Sequence, residues 1–195
     1  MKEECRLYGV NLEELAETLG SGNDAYLGEL ARRYGARIAE LEHELTAGAV
    51  TDALRRWIYD PVAQVGETAA GAALGAAFEL LCADAARQAS APVRLGGDHP
   101  IPPISALADD VEALDVQLDF DRLESRLGSR KTCGVVFQTP GLRVGHLSYL
   151  ELRRVRAALK GVSKELLQEL PFFAGFLPAV RLAVRYELDL IVFSG

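Results

Sequence analysis

The chain has 195 residues, 49% of them apolar and 25% charged, with 28 acidic residues against 21 basic ones and a net charge of −7. These proportions exclude a disordered tail, a collagen-like repeat and a disulfide scaffold, and a chain of this length can form a core without metal or disulfide help. The negative sign opposes nonspecific attraction to nucleic acid or anionic membrane, both of which need Lys and Arg to displace counterions.

The three cysteines, Cys5, Cys82 and Cys133, are odd in number and widely spaced, with no C-x-x-C. That usage points to a reducing cytosol. The first residues, Met1 to Arg6, lack the apolar segment of a signal peptide. The most apolar stretch, Ala69 to Ala86, is interrupted by Glu79 and Asp84, so no membrane span is expected. Arg outnumbers Lys 17 to four and Ala is abundant, as in GC-rich bacterial genomes such as those of actinomycetes.

Arg6 to Val10 reads as a first strand. Asn11, with Glu14 three residues on, has the spacing of a capping box, and Leu12, Leu15, Ala16 and Leu19 form the apolar face of a short helix. Asn23 caps a longer helix to about Leu45, with Leu27, Leu30, Ala31, Tyr34, Ile38 and Leu41 at three- and four-residue steps. Gly28 and Gly35 weaken it by about 1 kcal/mol each relative to Ala. A brief helix from Thr51 or Asp52 stops at Asp60-Pro61, and residues 66–89 give the strongest helical pattern. Residues 89–103 are a Pro/Gly-rich connection.

Ile104 to Leu114 and Phe120 to Leu127 predict two further helices, the second capped by Asp119. Thr132 to Gln138 is β-branched, bounded by turn residues, and reads as the central strand. Residues 139–147 read as a loop. Ser148 and Glu151 form a second capping box that opens a helix through Leu159, and Ser163 opens a short one. Phe172 to Glu187 is the last helix, with Pro178 inside it, and Leu188 to Phe193 closes the chain as a buried strand.

Strands at both ends and in the later middle, separated by helices, predict the α+β class. The expected form is a mainly helical single domain over residues 1–195. A small sheet is formed by N-terminal, central and C-terminal strands, with helices on one face and at most two lobes hinged near 89–103.

Chemistry is sparsely signalled. Gly96-Gly97-Asp98-His99 resembles a metal-ligating motif of the arginase and agmatinase ureohydrolases, in which the His binds manganese. That family also needs an Asp-Ala-His-x-Asp segment and a later Asp-x-Asp; Asp119-Phe120-Asp121 is a poor substitute, and a Gly-rich turn with a polar tip is the plainer reading. His43, His99 and His146 show no zinc spacing, so no metal and no cofactor are expected. Cys82 reads as a small core residue, and Cys133 has no base beside it in sequence. G-x-S-x-G, G-x-x-x-x-G-K-[ST] and G-x-G-x-x-G are absent from the sequence. Gly71 and Gly75, four apart, either let another backbone approach or leave room for a ligand.

Tyr8-Gly-Val-Asn-Leu-Glu-Glu-Leu with Leu19-Gly-Ser-Gly-Asn, the segment Ala73 to Cys82, and Pro140-Gly-Leu-Arg-Val-Gly-His-Leu-Ser through Glu151 together resemble small actinobacterial proteins of unknown function. The closing Leu190-Ile-Val-Phe-Ser-Gly195 is similar again. These proteins are distantly akin to the YfbM-like family. The resemblance implies an α+β fold and a cytosolic location, and carries over no catalytic residue.

Two functions follow as expectations. The first is a cytoplasmic binding or regulatory protein that recognises a small-molecule ligand or a protein partner, with no nucleic acid and no membrane. The second is a small-molecule tailoring enzyme of a bacterial pathway. The enzyme would use His99 and Asp98 for acid–base work, and Arg94, Arg143 and His146 would hold the ligand where the loops 94–103 and 139–147 meet.

Overall fold

The computed structural model describes residues 4–66, 68–89, 101–112, 114, 119–138 and 142–195. The first half runs β1 (Cys5–Val10), α1 (Leu12–Thr18), α2 (Asp24–Glu44), α3 (Ala49–Tyr59), β2 (Gln64–Val65) and α4 (Ala69–Gln88). A 3₁₀ turn (Ile104–Ala106) then leads into α5 (Leu107–Glu112), α6 (Phe120–Ser129), β3 (Val136–Phe137) and β4 (Arg143–Leu147). The chain closes with α7 (Tyr149–Ala158), a 3₁₀ turn (Leu159–Gly161), α8 (Lys164–Glu169), α9 (Pro171–Arg185) and β5 (Asp189–Ser194).

Local chemistry starts most of these helices. Asn11 Oδ1 accepts from the Glu13 and Glu14 amides, Asn23 from Tyr26, Thr68 from Gly71 and Asp119 from Arg122. At α7 the capping box is complete: Ser148 accepts from the Glu151 amide, and the Glu151 carboxylate accepts from the Ser148 amide. Each bond satisfies an amide that the first helical turn leaves without a partner.

The main sheet is antiparallel with order β1-β5-β4. The last strand is therefore the middle one, paired Tyr8↔Ile191 on one side and His146↔Ile191 on the other. This is the mainly helical α+β architecture expected, with an N-terminal, a central and a C-terminal strand. The central strand, however, is residues 143–147, within the stretch read as a loop. Of residues 132–138 only Val136 and Phe137 form a strand, and they pair in parallel with β2 in a separate two-stranded sheet. The reason is a tight turn: Thr132 and Val135 exchange backbone hydrogen bonds of 2.8 and 2.9 Å, and Cys133 and Gly134 both have positive φ. Two central residues of that kind reverse the chain as a type I′ turn does.

Helices cover both faces of the sheet, not one. Leu190 and Val192 of β5 join Cys5, Leu7 and Leu147 in a core packed by α5, α6, α7 and α9. Ile191 and Phe193 join Tyr8, Val10 and Val144 in a second core packed by α2, α3 and α4. The period of two along each strand sends alternate side chains into different cores, so Leu190 to Phe193 of β5 is an unbroken apolar run. Trp57 of α3 is fully buried in the second core and donates its indole N–H to the Leu74 carbonyl at 2.9 Å. Helix α4 is long and apolar enough, at a mean hydropathy of 1.4, to meet the composition of a membrane span. Here its apolar side chains pack against α3 and β1 in that core.

Candidate functional site

His146 stands on β4 with 8% of its surface exposed. Its Nδ1 lies 3.1 Å from Thr132 Oγ1, and Thr132 donates its own hydroxyl proton to the Arg130 carbonyl. The hydroxyl has one proton, so Nδ1 is the donor of the pair and carries the imidazole hydrogen. Burial, and then the Arg130 charge, push the His146 pKa down to about 4. The imidazole is neutral across the physiological range. Beside it, burial raises the Glu151 carboxyl, but the Ser148 amide and Arg130 outweigh that and hold its pKa below the usual carboxylate range. Arg130 and Arg126 approach its two oxygens at 2.6 and 2.9 Å. This group ties α6 to the start of α7.

Arg143 is three residues earlier on the same strand and faces the opposite side of the sheet. It is exposed and lies 3.8 Å from Glu124. Arg94, Asp98 and His99 lie outside the described residues. Among the described residues, no three His, Cys, Asp or Glu side chains gather as a metal ion requires. The thiols are held protonated by burial: Cys5 is pushed up to about 11, Cys133 to about 12, and Cys82 well above its ordinary value. Gly71 is packed against the Gly66 carbonyl and Gly75 against the Leu142 side chain, so both serve close packing.

The groups that face a cleft are elsewhere. An open cleft of about 490 Å³ lies between β1, α2 and α4. Arg6 and Tyr8 reach it from alternate positions of β1, which sends them to one face. Glu79 reaches it from α4, and Tyr34 and Arg37 from α2. The Tyr8 hydroxyl donates to Glu79 Oε1 at 2.6 Å, and Arg6 Nε lies 2.7 Å from the same oxygen. Burial pushes the Tyr8 phenol far up, and the Glu79 charge adds to it. One turn further along α4, fully buried Asp84 accepts from Tyr26 at 3.1 Å and Gln88 at 2.6 Å and pairs with Arg33. Two carboxylates on α4 are thus each held by a tyrosine and an arginine from other elements. Neither set was legible in the sequence, since Tyr8 and Glu79 are 71 positions apart and Tyr26 and Asp84 are 58 apart. The one local signal was Glu79 and Asp84 interrupting an apolar helix.

A protein-family model described as a domain of unknown function, DUF7691, matches residues 1–194. The chain belongs to this family. The match spans both cores and the cleft beside β1, so the features above all lie within the matched residues. No curated protein and no solved structure matches the chain.

Proposed function

We propose that the protein is a binding module that recognises a small ligand carrying an amino group in the cleft between β1, α2 and α4. One observation carries this reading. Tyr8 and Arg6 hold Glu79 at the cleft wall through a single oxygen, Oε1, while Oε2 accepts no hydrogen bond from the described residues. A fixed carboxylate oxygen in a partly desolvated cleft suits an ammonium donor, because charge-assisted hydrogen bonds gain strength as water is excluded. The volume falls within the range of small-molecule sites. Tyr34 offers a half-buried ring beside it. His146 and the three thiols are held away from titration near neutrality, which favours recognition over acid–base catalysis. Three unpaired thiols also support a reducing cytosol as its place of action.

A thermal-shift panel of amino acids, putrescine and spermidine, with the deaminated acids as controls, tests the reading. An amine present at one hundred times its Kd adds about 2.7 kcal/mol, which raises the midpoint of a chain this size by about 5–10 °C. The expected result is such a rise for at least one amine, none for its deaminated analogue, and loss of the effect in Glu79→Gln. A panel with no stabilising amine, or an undiminished shift in Glu79→Gln, overturns the proposal.

A further inference from the structure

A second cleft of about 490 Å³ lies on the other side of the molecule, between α7, the 3₁₀ turn that follows it, α8 and α9. Its charged lining is of one sign. Arg153 and Arg156 come from α7, Lys160 from the 3₁₀ turn, Lys164 from α8 and Arg181 from α9, and among the described residues no acidic side chain lines it. Residues 149–186 carry seven basic side chains against three acidic ones, in a chain whose net charge is −7. Among the described residues, Arg156, Lys160, Lys164 and Arg181 make no ion pair, and Arg153 is engaged only with the Tyr149 ring, 5.7 Å from its centroid. Elsewhere in the fold, by contrast, Arg6, Arg33, Arg126 and Arg130 all have carboxylate partners. Beneath the cations the floor is apolar: Leu159, Leu167 and Leu177 are buried there, and Val162 and Val184 are half-buried.

We propose that this cleft binds a small amphipathic anion, an acidic headgroup joined to an apolar chain, taken up as a free molecule. Like charges converging from four consecutive elements repel one another, and an anion held among them relieves that repulsion. The apolar floor supplies what a bare inorganic anion would not use, since burying a hydrocarbon chain there stabilises by about 25 cal/mol per Å² removed from water. The volume of this open cleft matches a small molecule. The net negative charge of the whole chain opposes attachment to an extended anionic membrane or nucleic acid. The proposal is independent of the amine cleft beside β1.

Calorimetric titration separates the possibilities, with dodecyl phosphate and dodecanoate below their micelle concentrations, inorganic phosphate, and dodecanol as probes. The two dodecyl anions distinguish a phosphate from a carboxylate headgroup. Binding of at least one of them is expected, at least tenfold tighter than phosphate alone or dodecanol. Charge reversal at two exposed positions, Lys160→Glu with Arg181→Glu, should weaken it at least tenfold, and Arg32→Glu, on the exposed face of α2, should leave it unchanged. Raising NaCl from about 50 to about 500 mM should weaken it as well. Circular dichroism of the double variant checks that the fold is intact, and Val162→Ser provides a second variant in which dodecyl binding falls while phosphate binding does not. Equal affinity for inorganic phosphate, equal affinity for dodecanol, unchanged binding in the charge-reversed protein, or binding only to phosphatidylglycerol vesicles would each overturn the proposal.

Discussion

His146 is a histidine that the fold keeps neutral. Its native pKa of about 4 lies below the ordinary value of 6.5. Above pH 6.5 neither the native nor the unfolded state carries the proton, and the residue costs nothing. Between 6.5 and about 4 the unfolded chain takes up a proton that the native state refuses, so stability falls with pH through that window and then levels off. The urea midpoint should therefore drop more between pH 7 and pH 5 in the wild type than in His146→Gln, whose amide retains a donor for Thr132. Identical drops in the two proteins would show that His146 titrates alike folded and unfolded. Its neighbour Gly145 is constrained by space. A Cβ there would overlap the Arg126 carbonyl oxygen and lie 2.6 Å from that of Leu127, both of them backbone atoms of α6. Backbone cannot turn aside as a side chain can, so Gly145→Ala must push α6 off the sheet. The expected loss is about 3 kcal/mol, read by urea denaturation, and a loss under about 0.5 kcal/mol would mean that α6 is free to shift.

Two buried or half-buried aspartates act at the scale of whole elements. Helix α9 has no capping side chain at its own N-cap, Leu170, and begins with Pro171, whose missing N–H suits the first helical position. Its next two amides, Phe172 and Phe173, are capped from a distance by Asp110 Oδ2 at 2.7 and 3.3 Å. Asp189 serves two helices at once, accepting from Leu12 at the start of α1 and from Tyr149 at the start of α7. The carboxylates therefore join α5 to α9, and β5 to both α1 and α7. Asp110→Ala should cost about 0.5–2 kcal/mol, the usual range for a lost N-cap, while Asp110→Asn, which keeps an acceptor oxygen, should cost less. Equal losses in the two variants would attribute the effect to packing and not to the cap.

The molecule as a whole is two cores sharing one thin sheet. Leu190 belongs to one core and Ile191 to the other, yet they are consecutive residues of the same central strand. Trp57, the one tryptophan in the chain, reports from the second core only. Leu190→Ala removes side-chain volume on the far side from it and should cost about 2–5 kcal/mol. If the shared strand couples the cores, that substitution lowers the unfolding midpoint seen by Trp57 fluorescence as much as the one seen by circular dichroism. Separate midpoints, with the fluorescence transition left in place, would mean that the two halves unfold independently.

The features that the sequence determined by itself are those whose physics is local. Helix α2 follows from a three- and four-residue apolar repeat, and its start from Asn23 bonding an amide three residues away. The starts of α6 and α7 follow in the same way from Asp119 and from Ser148 with Glu151. The terminal strands were legible because Arg6 to Val10 is short and alternating, and because a continuous apolar run such as Leu190 to Phe193 has few other uses. Tertiary structure decided the rest. Arg143 to Leu147 does not look like a strand, because its pattern includes Gly145 and His146, which only α6 and Thr132 explain. Thr132 to Gln138 does look like one, and is folded back by Cys133 and Gly134. The clefts left little trace in any short window beyond Glu79 and Asp84 interrupting the apolar run of α4. Tyr8 meets Glu79, and Lys160 and Arg181 come to line one cleft, only after separate elements have packed. A hydrogen bond between side chains 71 positions apart is a property of the path the chain takes and of no segment within it.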